Sequence, residues 1–338
     1  MTATEIIPST ETGKLNVMHL KRYWNKSILK RNGELDPGSF RDEWKTDTTL
    51  LSVLRLGLEQ TMKYLYQKSP SFEEFESWIL ETSGIPDSEK IKGFNRLFLV
   101  EKNSKKEIIK RELLTAEDWE FWQQNGYVII RNAVSREDCD QTVKVICDFL
   151  GIDRYDAASW YKIHPAKQGI MVQLFQHPLL EKNRNAYKIK KAFEEIWNRT
   201  DLWLNADRVG FNPPETEFYK FPGPKLHWDI SIKLPIPFGT QGILYLADTL
   251  VNQGAFTLVP GFQNRIEHWL NNLPAGSNPR KEDLYNLGAK PIAANAGDFI
   301  LWHHILPHGS SPNTAALPRF VQYINYTPAD EKENETWV

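Results

Sequence analysis

The chain has little cysteine and no excess of charge of either sign. Cys139 and Cys147 are the only cysteines in 338 residues, too few for a disulfide framework or a soft-metal cluster, so a reducing compartment is the simpler expectation. Lys and Arg total 41 against 43 Asp and Glu, a formal net charge of -2 at pH 7. That balance gives no reason to expect binding to nucleic acid or to an anionic membrane. No run is apolar enough to suggest a bilayer span, and the polar opening lacks the charged start and apolar core of a secretory signal. Cytoplasmic location is therefore expected, and the triplets Asn25-Lys26-Ser27 and Asn198-Arg199-Thr200 are read as chance matches to a glycosylation acceptor. Also missing are internal repeats, low-complexity runs and a Gly-x-Gly-x-x-Gly turn between a strand and a helix, which sets aside a solenoid and a parallel dinucleotide fold.

What is abundant is material for a core. The chain carries 12 Trp, 12 Tyr and 17 Phe, with 41% hydrophobic residues, as a packed globular protein requires. Residues 1–112 read as a mostly helical N-terminal extension. Its opening is polar, with turn signals at Asn32-Gly33 and Asp36-Pro37-Gly38. Apolar positions three or four apart follow in Leu51–Gln67, and a second amphipathic pattern in Ser71–Leu80. These faces suit packing or a homodimer contact better than a cofactor site.

Residues 113–330 read as a separate catalytic unit. Thr115 and Asp118 mark a helix start, the β-branched run after Asn125-Gly126 predicts a strand, and Ser135–Leu150 predicts an amphipathic helix. Beyond Gly242 the pattern turns to extended candidates punctuated by turns: Gly242–Thr249, Gly254–Gly261, Gly297–His304 and Arg319–Thr327. Antiparallel sheets around a pocket are the expected architecture, interrupted by a turn-rich insertion near residues 271–287.

Within this unit, Leu226-His227-Trp228-Asp229-Ile230 and Leu306-Pro307-His308-Gly309-Ser310 stand out, with Arg319 eleven residues after His308. In an extended segment His227 and Asp229 share one face and Trp228 takes the other. Two imidazoles and one carboxylate can occupy one face of a six-coordinate metal and leave three positions open. Zinc accepts the same donors, so on residue types alone metal-assisted hydrolysis and a noncatalytic metal-bound interaction protein stay open beside redox chemistry. His303 and His304 are contiguous and would point to opposite faces of a strand. His164 and His177 read as packed or surface histidines.

The series Gly126–Ile130, Phe218–Asp229, Gly254–Gly261, Ala296–Asn313 and Pro318–Tyr326 resembles, in order, the phytanoyl-CoA dioxygenase family of Fe(II) and 2-oxoglutarate dependent oxygenases. The resemblance spans about Leu113 to Tyr326. It implies a mainly β fold with surrounding α-helices, built on a double-stranded β-helix (jelly roll, cupin-like) core. It implies Fe(II) held by His227, Asp229 and His308, with 2-oxoglutarate and molecular oxygen as cosubstrates. Arg319 would pair with the distal carboxylate of 2-oxoglutarate and Ser310 would add a hydroxyl. Gln173, Tyr219 and Thr257 are further candidates for cosubstrate contact, while Lys225 and Trp228 flank the first motif. Phe262-Gln263 replaces the Ser-His often found after the family's Pro-Gly pair, so ordinary family substrate contacts are not carried over there. Because Asp229 is retained, hydroxylation is expected over halogenation; desaturation or cyclisation stays open. The expected substrate is a polar small metabolite, an amino acid derivative or a natural-product intermediate, since no CoA-binding run accompanies the motifs.

Overall fold

The computed structural model describes residues 6–99, 109–332, 334 and 336–338, and the chain divides into two compact units. The first comprises Met1–Glu107 with Asp201–Ala206 and Thr327–Glu331; the second comprises Ile108–Thr200, Asp207–Tyr326 and Lys332–Val338. A single cut near residue 112 therefore does not describe the division. Two distant segments join the first unit, one of them carrying Trp203, which packs on its buried core.

The first unit is built from α1 (Leu20–Asn32), α2 (Trp44–Val53), α3 (Leu58–Lys68), α4 (Phe72–Ser83) and α5 (Ser88–Arg96). The expected helical run over Leu51–Gln67 is broken between α2 and α3. Arg55 adopts a left-handed φ of 55° there, and Gly57 caps the next helix. α4 starts at a capping box, Ser71 accepting from Glu74 N–H while the Glu74 side chain accepts from Ser71 N–H. The polar opening also contains a helix that periodicity does not suggest. α1 buries Lys26, and the Lys26 ammonium is neutralised by Glu43 and Asp47. Arg22 and His19 complete the cluster, the first on Glu43 and the second on Asp47.

Strands of the chain are β1 (Tyr127–Ile130), β2 (Lys167–Gln168), β3 (Met171–Val172), β4 (Leu202–Leu204), β5 (Val209–Asn212), β6 (Thr240–Tyr245), β7 (Phe256–Leu258), β8 (Lys290–Pro291), β9 (Phe299–His303), β10 (His308–Ser310), β11 (Arg319–Tyr323) and β12 (Tyr326–Pro328). β4 and β12 form a small sheet of their own. The second unit contains a seven-stranded sheet in the order β1-β9-β6-β11-β5-β3-β2 and a three-stranded sheet in the order β10-β7-β8. An antiparallel bridge between His227 and His308 adds the His227 segment to the edge of the smaller sheet. Followed along the chain from β5, successive segments alternate between the sheets: β5 in the larger, His227 in the smaller, β6 in the larger, β7 and β8 in the smaller, β9 in the larger, β10 in the smaller, β11 in the larger. That alternation is the double-stranded β-helix. Strand parity then sorts side chains. Ile243, Tyr245, Ile300, Trp302 and Val321 from the larger sheet meet Phe256 and Leu258 from the smaller in one buried core.

Helices α6 (Ala116–Asn125), α7 (Arg136–Leu150), α8 (Pro178–Arg184), α9 (Tyr187–Trp197) and α10 (Ile266–Asn271) complete the second unit. Thr115 and Asp118 cap α6 reciprocally, and Ser135 caps α7, at the positions where their side chains signal a start. Residues 271–287 form short 3-10 turns at Pro279–Lys281 and Leu284–Leu287, with Leu284 buried in the core. Among the described residues no helix is long and apolar enough to cross a membrane.

Two predictions follow from packing and charge. Gly297 has φ +90°, and an added Cβ would lie 2.2 Å from the Val134 carbonyl oxygen. Gly297→Ala should cost about 2–3 kcal/mol in urea unfolding; an unchanged midpoint would contradict this turn geometry. Glu43 is opposed by its own burial, yet its bonds to Arg22 and Lys26 outweigh that and hold its carboxyl down at about 2. A folded value below the unfolded one means the stabilisation is complete above about pH 4.5 and is lost as pH falls through 2, up to about 3 kcal/mol. Glu43→Gln should flatten the acid limb of stability between pH 5 and pH 2.

Candidate metal centre

His227 and His308 are set side by side by backbone, not by their side chains. His227 N–H donates to the His308 carbonyl at 2.9 Å and His308 N–H returns the bond at 3.0 Å, placing the two rings 5.0 Å apart. Gly309 permits this closeness, since a Cβ there would lie 2.6 Å from the Lys225 carbonyl oxygen. Each imidazole is then oriented by a carbonyl two residues before it. His227 Nδ1 donates to Lys225 O at 2.7 Å and His308 Nδ1 donates to Leu306 O at 3.0 Å. A carbonyl can only accept, so both Nδ1 atoms carry protons and both Nε2 atoms are turned inward.

The carboxylate arrives differently from the extended-strand expectation. The ladder stops at His227, and the chain bends at Asp229–Ile230. This bend puts Asp229 Oδ1 3.2 Å from His227 Nε2 and Oδ2 3.2 Å from His308 Nε2. The ligand atoms of the three residues all lie within 4.8 Å of one another. Trp228 takes the opposite side, its ring against Phe262 and Trp269 and its Nε1 donating to Ile305 O at 2.7 Å. Burial works against the Asp229 charge, but the two imidazoles outweigh it and hold the carboxyl well below the ordinary range. Burial likewise opposes charge on His227, and its bond to Asp229 outweighs that, raising its pKa.

Sequence reading overlooked Gln241, whose side-chain N–H donates to Asp229 Oδ2 at 2.8 Å. It sits at the inward parity of β6 with Ile243 and Tyr245, and a polar residue at an inward position of an otherwise apolar strand was the available signal. Tyr323 was overlooked for the same reason. Burial, first of all, pushes its phenol up, with Arg319 and Arg208 opposing and Asp207 and Asp229 adding to the rise.

Arg319 opens β11 directly across from Asn212 and shares the inward parity of Val321 and Tyr323. It is 0% exposed, and its Nε, Nη1 and Nη2 make no hydrogen bond within 3.5 Å among the described residues, although the guanidinium acts on the buried Tyr245 hydroxyl. Asn212 Oδ1 and Tyr219 Oη are also buried without a partner. Ser310 stands across from Phe256, on the same strand face as His308 and Leu258. Thr257 does not join them. It pairs with Gly309, so its side chain takes the other face, and its hydroxyl donates to Ala255 O at 3.1 Å. Tyr219 packs on Tyr161, with the Lys167 ammonium over both Tyr219 and Phe211. Phe211 points to the face of β5 opposite Asn212. Gln173 follows β3, at the parity of Met171, which pairs with Gly210. Lys225 contributes through its backbone carbonyl to His227.

The remaining histidines are occupied elsewhere. His303 is pushed down to about 3 by burial, with His304 adding to the effect, and its ring lies beside Trp122 and Phe238. His304 Nε2 bonds to Pro237 O at 2.8 Å. His164 Nδ1 accepts from Ala166 N–H, and His177 Nδ1 caps α8 by accepting from Leu179 N–H.

The sequence model of the family described as phytanoyl-CoA dioxygenase (PhyH) matches residues 122–321, more than half of the chain. The chain belongs to the phytanoyl-CoA dioxygenase family. A Dictyostelium discoideum protein named for phytanoyl-CoA dioxygenase is 25% identical over 261 residues, covering 62% of this chain and 74% of that protein. Among solved structures, the GlcNAc Inducible Gene 2 protein of Candida albicans is similar with a TM-score of 0.51 and 15% identity, covering 65% of each chain. The non-haem α-ketoglutarate dependent carbocyclase SnoK of nogalamycin biosynthesis is similar with a TM-score of 0.47 and 17% identity, covering 66% of this chain and 87% of that one.

Family membership makes this protein a 2-oxoglutarate-dependent dioxygenase that uses Fe(II), 2-oxoglutarate and molecular oxygen on a small molecule. Its residues fit that equipment. Two inward Nε2 atoms and a carboxylate form a hard-to-intermediate donor set around one point, and a buried guanidinium with no ion-pair partner among the described residues matches a carboxylate-bearing cosubstrate. If Arg319 is an uncompensated buried cation in the ligand-free protein, Arg319→Met should raise ligand-free stability by about 1–4 kcal/mol in urea unfolding. A destabilised variant would show that the guanidinium has a partner that this geometry lacks.

Proposed function

We propose that this dioxygenase hydroxylates a C–H bond of a polar small metabolite, an amino acid derivative or a natural-product intermediate. In this reading His227, Asp229 and His308 hold Fe(II), and Arg319 with Ser310 anchors 2-oxoglutarate. The observation that carries it is Arg319. A guanidinium buried to 0% exposure with three nitrogens unpartnered among the described residues is costly unless an anion is bound there for part of the working cycle. Its planar fork matches a carboxylate through two parallel bonds.

When bound, the iron supplies the redox chemistry by which one oxygen atom of O2 enters succinate and the other the substrate, with release of carbon dioxide. The chain's own residues hold and orient. The carbonyls of Lys225 and Leu306 keep both imidazoles in the tautomer that presents Nε2. Gln241 holds Asp229 Oδ2 and so limits rotation of the carboxylate. The retained carboxylate of Asp229 favours hydroxyl transfer over halogenation, because it takes the position a halide would need.

Anaerobically reconstituted protein should form succinate in an oxygen-dependent reaction stimulated by a pool of polar metabolites, with one metabolite gaining a single oxygen by accurate mass. His308→Ala should reduce this by more than about a hundredfold, because loss of a ligand exceeds the 10–100-fold typical of losing a partner that orients one. A product lighter by two hydrogens would replace hydroxylation with desaturation or cyclisation. No succinate despite bound metal and 2-oxoglutarate would sink the catalytic assignment.

A further inference from the structure

The carboxylate of the triad sits where the smaller sheet gives it no support. The backbone ladder with His308 ends at His227, and the chain bends at Asp229–Ile230. The carbonyls of Trp228 and Ile230, one on each side of Asp229, therefore need partners from elsewhere. Both are taken by one side chain from the turn-rich segment near residues 271–287. Arg280 Nη1 donates to Trp228 O at 2.9 Å, and Arg280 Nη2 donates to Ile230 O at 2.5 Å.

The remaining donors of the same guanidinium hold the chain near its last described residues. Nε and Nη2 donate to Val338 O at 3.0 Å and 2.8 Å, and the guanidinium lies over the Trp337 ring at 4.7 Å. Ser231 reinforces this seam, donating from its hydroxyl to Thr336 O and accepting from Val338 N–H. Among the described residues no acidic side chain forms an ion pair with Arg280, although its charge is felt at both Asp229 and His227. Four directed bonds from a single planar group are a means of fixing backbone, and the group has no contact with the carboxylate itself.

We propose that Arg280 is a positioning residue for the metal centre, clamping the carbonyls on either side of Asp229 so that the carboxylate stays beside the two imidazoles. Gln241 restrains the carboxylate directly; Arg280 restrains the bend that carries it. A lysine cannot replace it fully, because one ammonium lacks the fork that spans two carbonyls. This inference rests on the assignment of His227, Asp229 and His308 as metal ligands.

The test is an anaerobic Co(II) titration of the full chain, followed by visible absorption, alongside thermal unfolding of the metal-free protein. Arg280→Met is expected to weaken Co(II) binding by tenfold or more and to alter the ligand-field spectrum, while the metal-free protein still folds with an unfolding temperature lowered by the bonds removed. Arg280→Lys should recover part of the affinity. Wild-type affinity and spectrum in Arg280→Met would overturn the proposal. Should Arg280→Met not fold, Arg280→Lys decides, and wild-type Co(II) binding by that variant overturns it. His308→Ala separates the two assignments. If it loses Co(II) while the Arg280 variants do not, only the clamp fails; if it binds Co(II) as wild type does, the metal centre and the clamp fail together.

Discussion

Three hydrogen-bond acceptors turned toward one point repel unless something positive lies between them. His227 and His308 have committed their Nδ1 protons to backbone carbonyls, and Asp229 brings a carboxylate within 3.2 Å of each Nε2. The fold bears this cost by several independent means. A backbone bridge sets the imidazoles together, a glycine allows the approach, and Gln241 holds the carboxylate. Burial fails to keep the His227 pKa down because the Asp229 carboxylate bonded to it favours the charged ring. A metal held between the three groups would turn their local repulsion into coordination.

The jelly roll makes that convergence possible because its segments alternate between facing sheets. His227 and His308 are 81 residues apart yet neighbours in one ladder, while Arg319 comes from the opposite sheet and projects into the same interior. Such an arrangement separates two tasks. The smaller sheet and its bend carry the triad; the larger sheet carries the buried guanidinium and, at the same parity of β11, the phenol of Tyr323.

Much of this was legible in residue order. The His-x-Asp pair and the later His point to a metal face, and the resemblance of the surrounding series to the family, with the Arg eleven residues beyond, narrows that face to 2-oxoglutarate chemistry. The helix start at Thr115 was equally legible, since a capping side chain acts within its own first turn, and the amphipathic stretches from Ser71 and Ser135 proved to be helices capped by those serines. Long-range features were not. α1 was hidden because Lys26 on its buried face is neutralised by Glu43 and Asp47, residues outside that helix. Thr257 looked like a pocket residue, but its register opposite Gly309 turns it from His308 and Ser310. Gln241 and Arg280 act through strand parity and a loop crossing, neither of which leaves a short-range pattern.

By itself, then, the sequence determined which chemical groups are present and which short segments can form helices or strands, because propensity, capping and spacing act over a few residues. It therefore determined the donor set and the class of fold that could gather it. The tertiary structure alone decided that the Asp229 carboxylate is delivered by a bend, that Arg319 is buried with no ion-pair partner among the described residues, and that Arg280 grips the carbonyls around the bend. Each of those depends on groups tens of residues apart meeting within about 3 Å, the range over which a hydrogen bond acts, and only closure of the two sheets brings them that near.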